Sequence, residues 1–279
     1  MIYKYGEQAI KDSLNALKIE NHRKRESYVH KLLDYYNGSN TNYYIENRFD
    51  LDAFREVPPY EANITKKFIN KMSRIYTVGA DRNVSKKYDN LSVLKDAKMK
   101  HIERMTRLVG SIAVRIMYVD GEMPYFDYQP IYYFHPFFGS DPFKPVAISY
   151  PLMNYTDDVS NSDICQYIHW NEEVYIIFDE NGRVLEEKKH GYGALPFAFT
   201  HREHQSDSFY VEGANDIMNA NEHINLTMTE MQLGLRFQMF GQPVVSGADL
   251  GNNQRFGSDV ILELPDGANY DIKSPSGDI

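Results

Sequence analysis

Cysteine is nearly missing from this sequence: Cys165 stands alone among 279 residues. One thiol excludes an internal disulfide and any cysteine-based zinc site, and it points to a reducing compartment. The opening residues MIYKYGEQAIKD lack the apolar core of a signal peptide. Nowhere does the chain approach the roughly 20 consecutive apolar residues of a membrane helix. Its longest uncharged aromatic stretch, Tyr128 to Ser140, holds two prolines. The expectation is a soluble cytoplasmic chain with no membrane partner.

Phosphate-binding glycine loops are also lacking. There is no GxxxxGK, and Gly191-Tyr-Gly193 is too short for a dinucleotide fingerprint. The carboxylate pairs Asp157-Asp158, Glu172-Glu173 and Glu186-Glu187 are adjacent in sequence, and strand neighbours point to opposite faces. His201 and His204 have a spacing that could hold a metal, but no acid or thiol sits at a matching interval. Cys165 and His169 would share a strand face, with no third group to orient them. These absences set the expectation: no catalytic, cofactor-binding or metal residues, no cofactor, and not an enzyme. Internal repeats and low-complexity tracts are missing too.

What is present is enough for a core. Hydrophobic residues make up 42 % of the chain, with 22 Tyr against 15 Phe and a single Trp. Tyrosine suits half-buried strand faces and subunit contacts alike. The net charge of −9 is unevenly spread: residues 66 to 107 carry twelve Lys/Arg against four acids, a local +8 that leaves −17 elsewhere. An acidic whole argues against gripping nucleic acid over the full surface. The basic stretch itself reads as a solvated helical face or as a local contact surface.

Periodicity predicts a helix over 7 to 36 stopped by Asn37-Gly38, and a turn-rich stretch from 39 to 60. A second helix follows with Ile64, Phe68, Met72, Ile75 and Tyr76 on its apolar stripe. Ser92 would cap a third, with Leu94, Ala97, His101, Met105 and Leu108 on its stripe. After Gly110 the period drops to two, giving a strand over 112 to 119 and a turn at Asp120-Gly121 into 123 to 128. Further strands are expected at 131 to 135, 145 to 150, 164 to 170, and as a hairpin about Asn181-Gly182. His201 and His204 fall in an expected loop after Pro196.

The segment from Gly213 to Gly241 is the most informative. Ile217, Ala220, Ile224, Met228, Met231, Leu235 and Met239 recur at spacings of 3, 4, 4, 3, 4, 4, a heptad-like stripe. Leu226, Leu233, Phe237 and Phe240 run along a neighbouring face. A helix apolar on two faces is either buried within one monomer or flanked by other subunits. Short strands between loops are expected after Gly241.

The order of these segments resembles the portal (head-to-tail connector) family of tailed bacteriophages. HRKRESYVHKLLDYYNG, 22 to 38, is similar to that family's opening helix with its Tyr-Tyr-x-Gly-like stop. ANITKKFINKMSRIYTVGA, 62 to 80, resembles its Asn-led helix ending in Tyr-x-x-Gly, and GYGALPFAFTHRE, 191 to 203, its Gly-x-x-Pro-Phe exit from the sheet region. SFYVEGANDIMNANEHINLTMTEMQLGLRFQMFGQPVVSG, 208 to 247, is similar to its stem helix.

The resemblance implies an α+β fold with a helical and antiparallel-sheet wing over 1–207, a stem helix over 208–241 and a small β-rich clip, or its start, over 242–279. A returning stem helix, tunnel loop and crown would lie beyond these residues. It implies a structural subunit at the capsid vertex of the virion, assembled in the host cytoplasm into a cyclic homo-oligomer, commonly a dodecamer. Implied partners are double-stranded DNA passing without sequence specificity, the terminase packaging motor, major capsid and scaffolding proteins, and tail adaptors. On this reading Asn221, Asn225, Thr229, Gln232 and Arg236 are candidates to face the channel. Ile217, Ile224, Leu226, Met228, Met231, Leu233, Leu235 and Phe237 are candidates for subunit contact. Two other classes stay open: a metal-dependent nucleic-acid-processing enzyme using the basic stretch and HREH, and a monomeric minor head or adaptor protein whose long helix is buried within its own chain.

Overall fold

The computed structural model describes residues 3–48, 58–78, 83, 85–86, 91, 95–120, 124–152, 166–205, 207–239, 242–247 and 267–273. The fold class is α+β, with helices and antiparallel sheets. Two compact units divide the chain: 1–40 with 63–221, and 41–62 with 222–279. The boundaries expected at 207 and 241 do not coincide with this division, which falls inside the long helix.

In the first unit, α1 (Tyr3–Lys18) and α2 (Glu20–Asn37) replace the single expected helix. The break is at Ile19, whose extended ψ of 137° ends the helical path. α2 stops at Gly38 as expected, with φ at 73° and its N–H donated to Asp34 O, the left-handed geometry that glycine adopts at least cost. Within the second unit, α3 (Thr41–Glu46) buries Ile45. α4 (Ile64–Met72) is followed in the first unit by a 3-10 turn at Ile75–Thr77, and α5 (Lys95–Val109) buries Met105, Leu108 and Val109. Ser92, Leu94, Gly121 and the strand expected within 260–264 lie outside the described residues.

Among the described residues, eight strands of the first unit form two antiparallel sheets. β1 (Ser111–Val119) is central to one, between β2 (Tyr125–Ile131) and the last strand, β8 (Phe197–His201). The other is a meander of β3 (His135–Phe138), β4 (Pro145–Leu152), β5 (Gln166–Trp170), β6 (Val174–Asp179) and β7 (Val184–Lys189). The β6–β7 turn is the expected one: Gly182 has φ at 82°, and Asp179 Oδ1 accepts from the amides of Asn181 and Arg183. Strand β8 corrects the loop expected after Pro196. Its residues pair with β1 in register, Ile112 opposite Thr200 and Val114 opposite Ala198. Ala113, Phe134, Ile148, Tyr150, Ile168, Trp170 and Phe209 make the core between the sheets. Arg115 lies 4.4 Å over the Trp170 ring, and Tyr175 stacks on it from 4.7 Å.

The long helix α6 (Asn215–Met239) starts in this unit at a close backbone crossing. Gly110 has φ at 93°, and a Cβ there would overlap Val211 O; a Cβ on Gly213 would overlap Leu108 O. Both positions need hydrogen rather than carbon. The crossing is tied by Ala214 N to Leu108 O and Arg202 N to Gly110 O, each 2.8 Å. Ser111 Oγ accepts from Val211 N at 2.8 Å and bonds His201 Nδ1 at 2.9 Å. The second unit also holds the two-stranded sheet of β9 (Gln242–Ser246) and β10 (Asn269–Lys273), paired antiparallel. Among the described residues no helix is long and apolar enough to cross a membrane.

Gly110→Ala combines a left-handed backbone with a clash against backbone that cannot move aside. It is expected to destabilise the first unit by about 3 kcal/mol or more, read as a lower urea midpoint. A loss below about 1 kcal/mol would show that the crossing can open.

Candidate functional site

Helix α6 carries a polar row at intervals of four, and that row faces inward. Asn221, Asn225 and Thr229 are 1 %, 1 % and 0 % exposed. In the first unit Asn221 Oδ1 accepts from Ile64 N at 2.7 Å, Thr65 N at 2.8 Å and Thr65 Oγ1 at 3.2 Å. The first amides of a helix have no intrahelical acceptor, so Asn221 caps α4 from a different helix. Asn63 completes the cap by accepting from Lys66 N at 3.0 Å.

In the second unit Asn225 Oδ1 accepts from Ala62 N at 3.0 Å, and its Nδ2 donates to Ala62 O at 3.4 Å. Thr229 Oγ1 accepts from Tyr60 N at 2.9 Å and donates to Asn225 O at 2.7 Å. Four residues of helix advance about 6 Å, close to the roughly 6.6 Å that two residues of extended chain cover. Alternate amides therefore meet side chains four apart. These three residues were expected to face a channel; their oxygens are instead spent on backbone amides. Of the other channel candidates, Gln232 is exposed, and the side chains of Arg236 and Phe237 lie outside the described residues.

With the polar row inside, part of the apolar stripe is outside. Ile224, Met231 and Leu235 are 42 %, 53 % and 55 % exposed. Ile217, Leu226 and Met228 are half-buried, and Leu233 is buried. Helix α4 shows the same reversal in the first unit. Thr65, Ile69 and Ser73 are buried, whereas Phe68, Met72, Ile75 and Val78 are 52 %, 40 %, 68 % and 79 % exposed. Phe68, Met72 and Ile75 of the expected apolar stripe thus face out. The backbone beyond α4 is held in place, since the buried Glu103 carboxylate accepts from Ile75 N at 3.2 Å and Tyr76 N at 3.4 Å.

The sites considered for chemistry look different. His201 is taken up by Ser111 and lies edge-on to Phe209 at 5.1 Å, while His204 is exposed in the chain after β8. Among the described residues no three His, Cys, Asp or Glu side chains gather where they could hold a metal. Cys165 and Asp157-Asp158 lie outside the described residues. His169 has partners that spacing gave no hint of: Ser149 Oγ at 2.8 Å and Ser13 Oγ at 3.1 Å from its Nδ1, with the two hydroxyls 2.8 Å apart. All three are buried, and Ser13 also donates to Ala9 O. The cluster fastens α1 to β4 and β5. A shallow cleft of about 370 Å³ lies beside Arg25, Tyr28, Tyr210 and Asn215 in the first unit. Arg25 sits 3.7 Å over the Tyr210 ring and donates to Ser111 O at 3.3 Å. Its charges are mixed, with Lys24 and Arg25 beside Glu212, and it assembles no nucleophile with a base.

No family model matches the chain, and no curated protein matches it. The features that stand out are therefore the two outward apolar rows. Their existence was legible as amphipathic spacing. Their direction was not, because it depends on amides more than 150 residues away in sequence.

Two measurements test these assignments. Asn221→Ala leaves two buried amides without an acceptor, at about 1–3 kcal/mol for each such group, whereas Asn221→Asp keeps the acceptor and is expected to lose much less. Equal losses for the two variants would refute the capping role. Burial lowers the His169 pKa to about 4, with Asp12 pulling weakly upward; burial and the charges of His135 and Arg25 do the same for His22. Both are neutral in the folded chain and protonate near 6.5 once unfolded, so the unfolded chain binds more protons as pH falls below 6.5. Stability is expected to be full above pH 6.5 and to fall towards pH 4, by up to about 1.4 kcal/mol per pH unit for His169. A urea midpoint unchanged between pH 7 and pH 5 would contradict this.

Proposed function

We propose that the chain is a ring-forming structural subunit of a phage portal, with a mechanical and geometric role. The observation that carries this reading is the reversed long helix, which satisfies its polar row internally and turns Ile224, Met231 and Leu235 to solvent. Such a face gains by burial against another surface. It speaks against the monomeric adaptor reading, in which this stripe would be covered by its own chain. The ordered resemblance from residue 22 to 247 supplies the identity of the assembly.

On this reading the subunits close into a ring at the capsid vertex and hold a passage for double-stranded DNA. The ring meets the packaging motor, capsid and scaffolding proteins, and later the tail adaptors. A net charge of −9 suits a passage that must not hold DNA tightly. The buried Asn221, Asn225 and Thr229 do not line it, which leaves Gln232 among the described candidates.

The test is the mass of the particle, by light scattering after gel filtration, with negative-stain images of the same peak. A closed ring of about twelve copies with a central hole is expected, since repetition of one head-to-tail contact closes into a ring when its rotation allows. A monomer or a two-fold dimer at all concentrations, also in a version extended beyond residue 279, would end the portal reading.

A further inference from the structure

The outward row of α4 has a charged row beside it. Lys67 and Lys71 stand one helical position, about 100°, before Phe68 and Met72, and Arg74 repeats the pattern beside Ile75 in the next turn. All six side chains are exposed. Residues 62 to 78 contain Lys66, Lys67, Lys71 and Arg74 and no Asp or Glu. Glu103, which touches this segment from α5, is buried; it bonds Ile75 N and Tyr76 N and pairs with Arg107 at 3.4 Å. Its charge is therefore spent beneath the outer face. Ile75 and Val78, 68 % and 79 % exposed, stand clear of the chain around them.

We propose that this face of α4 docks peripherally on an anionic bilayer surface. Phe68, Met72, Ile75 and Val78 would enter the boundary between headgroups and acyl chains, with Lys66, Lys67, Lys71 and Arg74 level with the lipid phosphates. Shape and charge together argue for this occupant. A helical peptide partner is ordinarily seated in a groove, and a nucleic-acid backbone has nothing to cover Phe68 and Met72. A bilayer interface takes in protruding apolar side chains without a matching socket and offers anionic headgroups to the lysines beside them. Docking of this kind needs no spanning helix, and α4 has nine residues. Asn221 holds its first amides and Glu103 the turn after it, so the face is ordered before it meets lipid. The proposal is independent of the ring reading, which rests on α6.

Vesicle sedimentation tests it, using vesicles of equal parts phosphatidylglycerol and phosphatidylcholine against vesicles of phosphatidylcholine alone. The full chain is expected to sediment with the first and not with the second, and raised salt should release it. Lys67→Gln with Lys71→Gln should weaken binding about 25-fold, from about fivefold for each charge at an anionic surface. Phe68→Ser with Ile75→Ser should weaken it about tenfold or more. All four residues are exposed, so both variants should keep a wild-type unfolding temperature; Ile75→Ser alone serves where the double variant fails to fold. Ile75→Trp adds a depth probe: acyl-brominated lipid should quench its emission, whereas Trp170, 1 % exposed, should stay unquenched in the wild type.

A folded wild type that binds neither vesicle would overturn the proposal. So would binding that the serine variant leaves unchanged, since charge alone then accounts for it. Binding to duplex DNA or to polyglutamate in place of vesicles would assign the basic row to nucleic acid or to an acidic protein, and would overturn membrane docking. Assembly of the wild type that Phe68→Ser with Ile75→Ser abolishes would give the row to a second copy, with the same consequence. A closed ring that ignores anionic vesicles removes this proposal and leaves the ring reading; vesicle binding by a chain that stays monomeric does the reverse.

Discussion

Three side-chain oxygens decide which way the long helix faces. Asn221, Asn225 and Thr229 each accept a backbone amide, and the residues carrying those amides, 60 to 65, provide them at a spacing the helix can match. An amide buried without an acceptor costs about 1–3 kcal/mol, comparable to the gain from burying one Leu or Met side chain. A helix turned to bury Ile224, Met231 and Leu235 would bury three apolar residues and strand at least four amides. The polar solution wins, and the outward apolar row is its consequence.

That solution needs a fixed starting point, which the first unit provides for its own part of the helix. The crossing of Gly110 with residues 211 to 213 brings two backbones into contact where no Cβ fits. Ser111 serves the same junction twice, as partner to His201 and acceptor for Val211 N. Strand β1 leaves directly from this point, pairs with β2 and β8, and contributes Ala113 to the core with Trp170 and Phe209. The start of α6 is thus set by the same residues that order the sheet.

Local features were legible. Gly38 stops α2, the Asn181-Gly182 hairpin is formed, and the change of period at Gly110 marks the step from α5 to β1. The break at Ile19 was not, because no Pro or Gly marks it and both halves keep helical spacing. Strand β8 was obscured by Pro196, after which a loop was expected, although Phe197 and Phe199 alternate with Ala198 and Thr200. The Ser13–Ser149–His169 cluster joins residues 136 and 156 positions apart, and short-range spacing cannot reveal it. The larger difference concerned the polar row of α6: Asn221, Asn225 and Thr229 were read as facing a channel, because spacing does not show that distant backbone amides take up their oxygens.

The outward rows are also fixed before any partner arrives. A segment that folds only on binding gives up part of its interaction energy to ordering. Here the bonds that turn α4 and α6 outward are internal to each unit and exist before any partner arrives: Asn221 caps α4 within the first, and Asn225 with Thr229 holds residues 60 and 62 within the second. Glu103 likewise fixes the turn that displays Ile75. Each row is therefore a preformed surface, and preformed surfaces lose little freedom when they dock. On the proposed ring reading, faces set in advance by a subunit's own hydrogen bonds would favour joining identical neighbours in one register.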